Sequence, residues 1–145
     1  MHELESMIFW AGKNIKNTKM VIRPHPAEDA DYWRNRFSGY ENIIIVENTH
    51  HIPWTMGSSL LIHTTCSTGM EASLLKVPSI SITPNPTAPQ HSYILSNRVN
   101  LVRNSWLEAR DIVNEFIIKK TGPLANYDFS APILNEYFSN LDDNT

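Results

Sequence analysis

Apolar positions along the chain fall into short runs separated by polar turns, and their spacing changes from helical to extended and back. Leu4, Met7, Ile8 and Ala11 recur at helical spacing and predict a helix over 3–16 that Asn17 and Thr18 end. Met20, Val21 and Ile22 predict a strand, stopped by Arg23-Pro24-His25-Pro26. Two prolines around a histidine make a stiff turn, because each fixes its own φ and restricts the residue before it. Glu28–Phe37 reads as a helix, acidic at its start and basic at Arg34 and Arg36, as the helix dipole favours, with Gly39 as its breaker. Ile43 to Val46 is wholly β-branched, the mark of a strand covered on both faces. His50–Gly57 predicts a loop or helical turn.

The stretch from Leu60 to Pro78 has the richest pattern. Leu60, Leu61 and Ile62 predict a buried strand, His63–Gly69 is a turn dense in Thr64, Thr65, Cys66, Ser67 and Thr68, and Met70–Lys76 predicts a helix. Ser67 or Thr68 is the expected N-cap, and Glu71 stands one helical turn on from Ser67. Pro78–Thr83 predicts another strand, 85–90 a proline-rich loop, 91–95 a helical turn, and Val99–Val102 a further strand. Ser105 is expected to cap a helix through Lys119, ended by Thr121-Gly122-Pro123, and 131–141 a last amphipathic helix. About five strands alternating with helices predict an α/β fold: a three-layer αβα Rossmann-like domain, its parallel sheet flanked by helices on both faces.

Length and composition narrow the function classes. The 145 residues suit one domain, and 41% hydrophobic with 19% charged residues is a globular balance. A net charge of −3 without a dense Lys/Arg run gives no general basis for binding nucleic acid. The lone Cys66 leaves no internal disulfide framework and fits a reducing, cytoplasmic compartment. No apolar run approaches the roughly 20 residues of a bilayer span. The opening helix has no strand before it to pack with, so the chain is expected to be one half of a longer, two-domain protein.

In parallel α/β sheets, ligands gather at the carboxyl ends of strands. Arg23, His25 and Pro26 follow the first predicted strand. Thr64, Thr65, Ser67, Thr68, Gly69 and Glu71 follow the third. Together they offer a bidentate cation, hydroxyls and helix N–H groups to a phosphate, and a carboxylate to a ribose. His91, after the proline-rich loop, is a further candidate. Other histidines read as structural. His63 ends an apolar strand and is expected to be buried and satisfied. His50 and His51 are adjacent, so their side chains are expected to diverge, and no cysteine or carboxylate cluster accompanies them as a metal set. Trp10, Trp33, Trp54 and Trp106 read as core or interface residues.

A strand ending in Arg23-Pro24-His25-Pro26, followed by a Ser67-Thr68-x-x-Glu71-Ala72 unit on a later strand–turn–helix, resembles the donor-binding half of GT-B-fold glycosyltransferases. The nearest likeness is to bacterial surface-carbohydrate enzymes, the sialyl- and Kdo-transferases and CDP-glycerol glycerophosphotransferases. It covers about residues 19 to 84. The resemblance implies a CMP-, CDP- or UDP-linked donor, the first two favoured. His25 would stabilise the leaving phosphate, Ser67-Thr68 would hold phosphate, and Glu71 would hold the ribose. It implies no cofactor, and a catalytic base on an N-terminal acceptor domain that this chain lacks, so the chain alone would bind without turnover. Peripheral association of the whole enzyme with the inner membrane face follows from such a role, and the face left by an absent domain would favour a homodimer. The competing expectations are a UDP-sugar 2-epimerase, disfavoured because the segment after the fourth strand (TPNPTAPQHS) lacks that family's Arg- and Glu-rich signatures, and a non-catalytic regulatory or scaffold α/β domain.

Overall fold

The computed structural model describes residues 2–64, 66–83, 100–127 and 129. The chain divides into two compact units, Met1–His51 and Ile52–Thr145. Thr65, His91, the proline-rich loop and the predicted helix over 131–141 lie outside the described residues.

In the first unit, α1 (His2–Asn14) is followed by β1 (Met20–Ile22), α2 (Ala30–Arg36) and β2 (Ile43–Ile45). β1 and β2 pair in parallel, with Met20 opposite Ile43 and Ile22 opposite Ile45. The core gathers Ile8, Trp33, Phe37 and Ile43, with Leu4, Phe9 and Tyr40 against them. Phe9 and Trp33 both lie against Phe37, at centroid distances of 4.7 and 6.1 Å. Thus α1 finds its apolar partners in α2 and β2. Asp29 caps α2 by accepting from the Asp31 N–H, so the helix begins at Ala30, two residues later than the expected Glu28 start. Gly39 does not adopt a left-handed conformation; Phe37 caps the helix and its N–H bonds to the Trp33 carbonyl. A buried Glu5 accepts a hydrogen bond from the Tyr32 hydroxyl, which raises the Tyr32 pKa.

α3 (His51–Met56) follows, and then the second unit's sheet elements: β3 (Leu61–His63), α4 (Thr68–Leu74), β4 (Ser79–Ile82), β5 (Leu101–Arg103) and α5 (Trp106–Asn114). The strand order is β3-β4-β5, all parallel. β4 is central and wholly buried, and Ile80 and Ile82 are completely covered. α4 packs on β3 and β4, and α5 on β4 and β5. Ala72, Val77, Ala109, Val113 and Leu124 complete the core. The fold is therefore α/β with parallel sheets flanked by helices, of the Rossmann-like class. Among the described residues, five strands form a ladder of two in the first unit and a ladder of three in the second.

Helix ends carry the local differences from the sequence pattern. Ser105 caps α5 by accepting from the Glu108 N–H, while Glu108 accepts from the Asn104 N–H at 2.8 Å. The helical path continues to Lys119, but its last five residues, Glu115–Lys119, are π-helical, and Lys120 ends them in the left-handed region. Among the described residues, no helix is long and apolar enough to cross a membrane.

Candidate functional site

Two turns, one in each unit, contain the residues singled out by the sequence. In the first unit, the Arg23–Pro26 turn leaves the carboxyl end of β1 and faces the 47–49 segment that leaves β2. Between them lies a cleft of about 160 Å³, lined by Arg23, His25, Glu28, Glu47, Asn48 and Thr49 among others. Pockets for whole drug-sized ligands run to roughly 300–1,000 Å³, so this cleft suits a phosphate-sized group rather than a complete nucleotide sugar.

Local hydrogen bonds fix how the turn presents itself. The His25 N–H donates to Glu28 Oε2 at 2.8 Å, and the Glu28 N–H returns to the His25 carbonyl at 2.8 Å. The Ala27 N–H donates to His25 Nδ1 at 3.0 Å. An accepting Nδ1 carries no proton, so the neutral ring holds its proton on Nε2. That Nε2–H has no partner among the described residues, and the side chain is exposed. Arg23 pairs with neither Glu28 nor Asp29, the partners a plain surface arginine would have taken. Its Nε–H donates to the Thr49 carbonyl at 3.0 Å, which braces the guanidinium across the cleft wall. Glu47 is engaged by Arg34 at 2.6 Å, and this contact, with Asp31 beside it, raises the Arg34 pKa. Asn48 takes a left-handed conformation (φ 57°), which an asparagine tolerates better than most residues.

In the second unit, the turn from β3 into α4 is held from below by a buried polar network. His63 is 5% exposed. Its Nδ1 accepts from the Cys66 N–H at 3.0 Å, so its Nε2–H donates to Asn100 Oδ1 at 2.7 Å. Asn100 Nδ2 donates to the Gly69 carbonyl and to Ser73 Oγ, at 3.0 and 2.9 Å. Burial lowers the His63 pKa, opposed by the Asn100 contact, so the ring is neutral. This is the buried, satisfied histidine its place at the end of an apolar strand predicted. Gly69, expected among the ligand-binding residues, is buried, and a Cβ there would overlap Asn100 Oδ1 and His63 Nε2, so this close approach admits only glycine.

The expected cap also differs. Ser67 stands at the N-cap of α4 but has helical φ and ψ (−63°, −20°), and its hydroxyl makes no capping bond. The reason is local: the N–H groups of Gly69 and Met70 turn back onto the carbonyls of Cys66 and Ser67. Those two N–H groups are therefore engaged within the chain. What the turn displays are hydroxyls, with Thr64 and Ser67 exposed and Thr68 half-buried, and the half-buried Glu71 in the first turn of α4. The His50 and His51 rings, expected to diverge, stack at 4.8 Å. His50 precedes α3 and is free of helical geometry, which lets its ring fold over its neighbour. No group of three metal-ligating side chains occurs among the described residues.

Sequence reasoning missed Asn100, which ties the β3–α4 turn together, and Glu28 as the brace of the His25 turn. Only the alternation Ser79-Ile80-Ser81-Ile82-Thr83 signalled that β4 has a buried polar face. No family model, curated protein or solved structure matches this chain.

Proposed function

We propose that the chain binds the nucleotide part of an activated sugar or glycerophosphate donor, CMP- or CDP-linked in preference to UDP-linked, as the donor half of a transferase of cell-surface polysaccharide synthesis. The observation that carries the reading is the Arg23–Pro26 turn at the carboxyl end of β1. Its local bonds fix His25 as an Nε2–H donor beside a braced arginine, in a cleft of phosphate size. A neutral N–H and a guanidinium are what a leaving phosphate needs as negative charge develops on it. In the second unit, Ser67 and Thr68 are assigned to phosphate oxygens and Glu71 to a ribose hydroxyl. The hydroxyls carry that part of the reading, since the Gly69 and Met70 N–H groups are used locally. The acceptor site and the catalytic base are assigned to a separate domain, and the working place to the cytoplasm at the inner membrane face.

The test is a titration of labelled protein with CMP, CDP, UDP and inorganic phosphate, followed by NMR. CMP or CDP should shift Arg23, His25 and the Ser67–Glu71 signals. His25→Ala should weaken binding roughly ten-fold or more, the worth of a hydrogen bond to a charged group, and Ser67→Ala should weaken it by less. A folded protein that binds no nucleotide, or binds with both turns unperturbed, would end this reading.

A further inference from the structure

The geometry points to Thr83 as a ligand-binding residue: we propose that its hydroxyl donates a hydrogen bond to a phosphate oxygen of the bound nucleotide, at the carboxyl edge of the three-stranded sheet. The choice of a nucleotide phosphate rests on the donor reading above; the assignment of Thr83 rests on its own observations.

β4 continues into Thr83 with strict alternation. Ile80 and Ile82 point to one face, and Ser79, Ser81 and Thr83 to the other, all at 1% exposure or less. A buried hydroxyl needs a partner. Ser79 Oγ finds one in the Val77 carbonyl, and His63, Asn100 and Ser73 satisfy one another. Thr83 Oγ1 is buried and has no hydrogen-bond partner among the described residues. Its backbone N–H is already used, donating to the Arg103 carbonyl at 2.8 Å.

An orphaned hydroxyl deep in a core would be a packing fault. This one stands where a parallel sheet takes its ligands. Thr83 follows the last residue of the central strand. The register pairs Ser81 with His63, so Thr83 lies two residues further along the same face, about 7 Å on, at the edge from which Thr64 leaves β3. The side chains that the neighbouring turn displays there are the hydroxyls of Thr64, Ser67 and Thr68. A set of hydroxyl donors with one member desolvated and unpaired matches an oxyanion that arrives from outside.

The experiment compares the full chain with Thr83→Val and Thr83→Ser, using calorimetric titration with CMP and CDP, cytidine as the control without phosphate, and the melting temperature of each unliganded protein. Thr83→Val should weaken CMP and CDP binding about ten-fold and leave cytidine binding unchanged. Thr83→Ser should bind like the wild type. The unliganded valine variant should melt no lower than the wild type, because nothing loses a partner. A lower melting temperature would show that the hydroxyl has a structural partner and overturn the proposal. So would undiminished CMP binding, or an equal loss for cytidine. Wild-type protein that binds none of the three would refute the donor reading and take the phosphate assignment with it, an outcome separable from the others because it needs no variant.

Discussion

His63 shows how one residue can carry both a packing role and a pH response. Both ring nitrogens are committed in the neutral form, Nδ1 as acceptor from Cys66 and Nε2 as donor to Asn100. Protonation would place an N–H against the Cys66 N–H and a charge in a buried site. Burial lowers the folded-state pKa below the ordinary 6.5. Below about pH 6.5 the unfolded chain therefore binds a proton that the folded chain refuses, so its contribution to stability is whole above that pH and is lost as pH falls toward the folded pKa. The loss can run at most at about 1.4 kcal/mol per pH unit within that window. Denaturant melts of wild type and His63→Gln between pH 7.5 and pH 5 (roughly the histidine range) should give a steeper fall for the wild type; parallel curves would show that His63 does not titrate against folding. The same residue marks the limit of the sequence. An apolar strand ending in histidine was legible as a buried ring. Its partner Asn100, 37 residues away, was not, because only the β3-β4-β5 order brings them together.

At the scale of elements, apolar runs located every described strand to within a residue or two, since strands of three or four residues between helices leave little room for error. β3 begins and ends one residue later than its apolar run, because His63 pairs with Ser81 and belongs to the ladder. Helix ends were less legible, since their geometry depends on which carbonyls the first and last N–H groups find. The end of α4 is the clearest case. Lys76 sits at φ 60°, its N–H bonding to the Ser73 carbonyl and the Val77 N–H to Ala72, with the Val77 side chain buried beyond. This is the Schellman arrangement, which ordinarily places glycine at the left-handed position. A lysine there keeps a Cβ penalty that glycine lacks, of about 1–2 kcal/mol, part of which is offset by the greater freedom of glycine in the unfolded chain. Lys76→Gly should therefore stabilise the protein by roughly 0.5–1 kcal/mol, read as a rise in the denaturation midpoint at unchanged slope. A fall would mean that the lysine side chain makes a contact that outweighs the strain.

At the scale of the whole molecule, the sequence predicted one α/β pattern, and the chain realises it in two compact units that divide at His51 and Ile52. Alternation of strands and helices encodes pairing between neighbours but not where one ladder stops, so the division was not legible. The two units differ in what they can sustain. The first closes a ladder of two short strands over one aromatic cluster, and two-stranded sheets are marginal by themselves. The second surrounds a fully buried central strand with partners on both edges and adds the His63–Asn100–Ser73 network. Small chains bury too little surface to fold easily, and a piece of about 50 residues lies near that boundary. We predict that residues 52–145, produced alone, unfold cooperatively and keep the His63–Asn100 bond, visible as a slowly exchanging ring N–H signal by NMR. Residues 1–51 alone should show no cooperative transition. If the larger piece lacks that signal, the buried network draws its order from the first unit, and the second unit is not an independent fold.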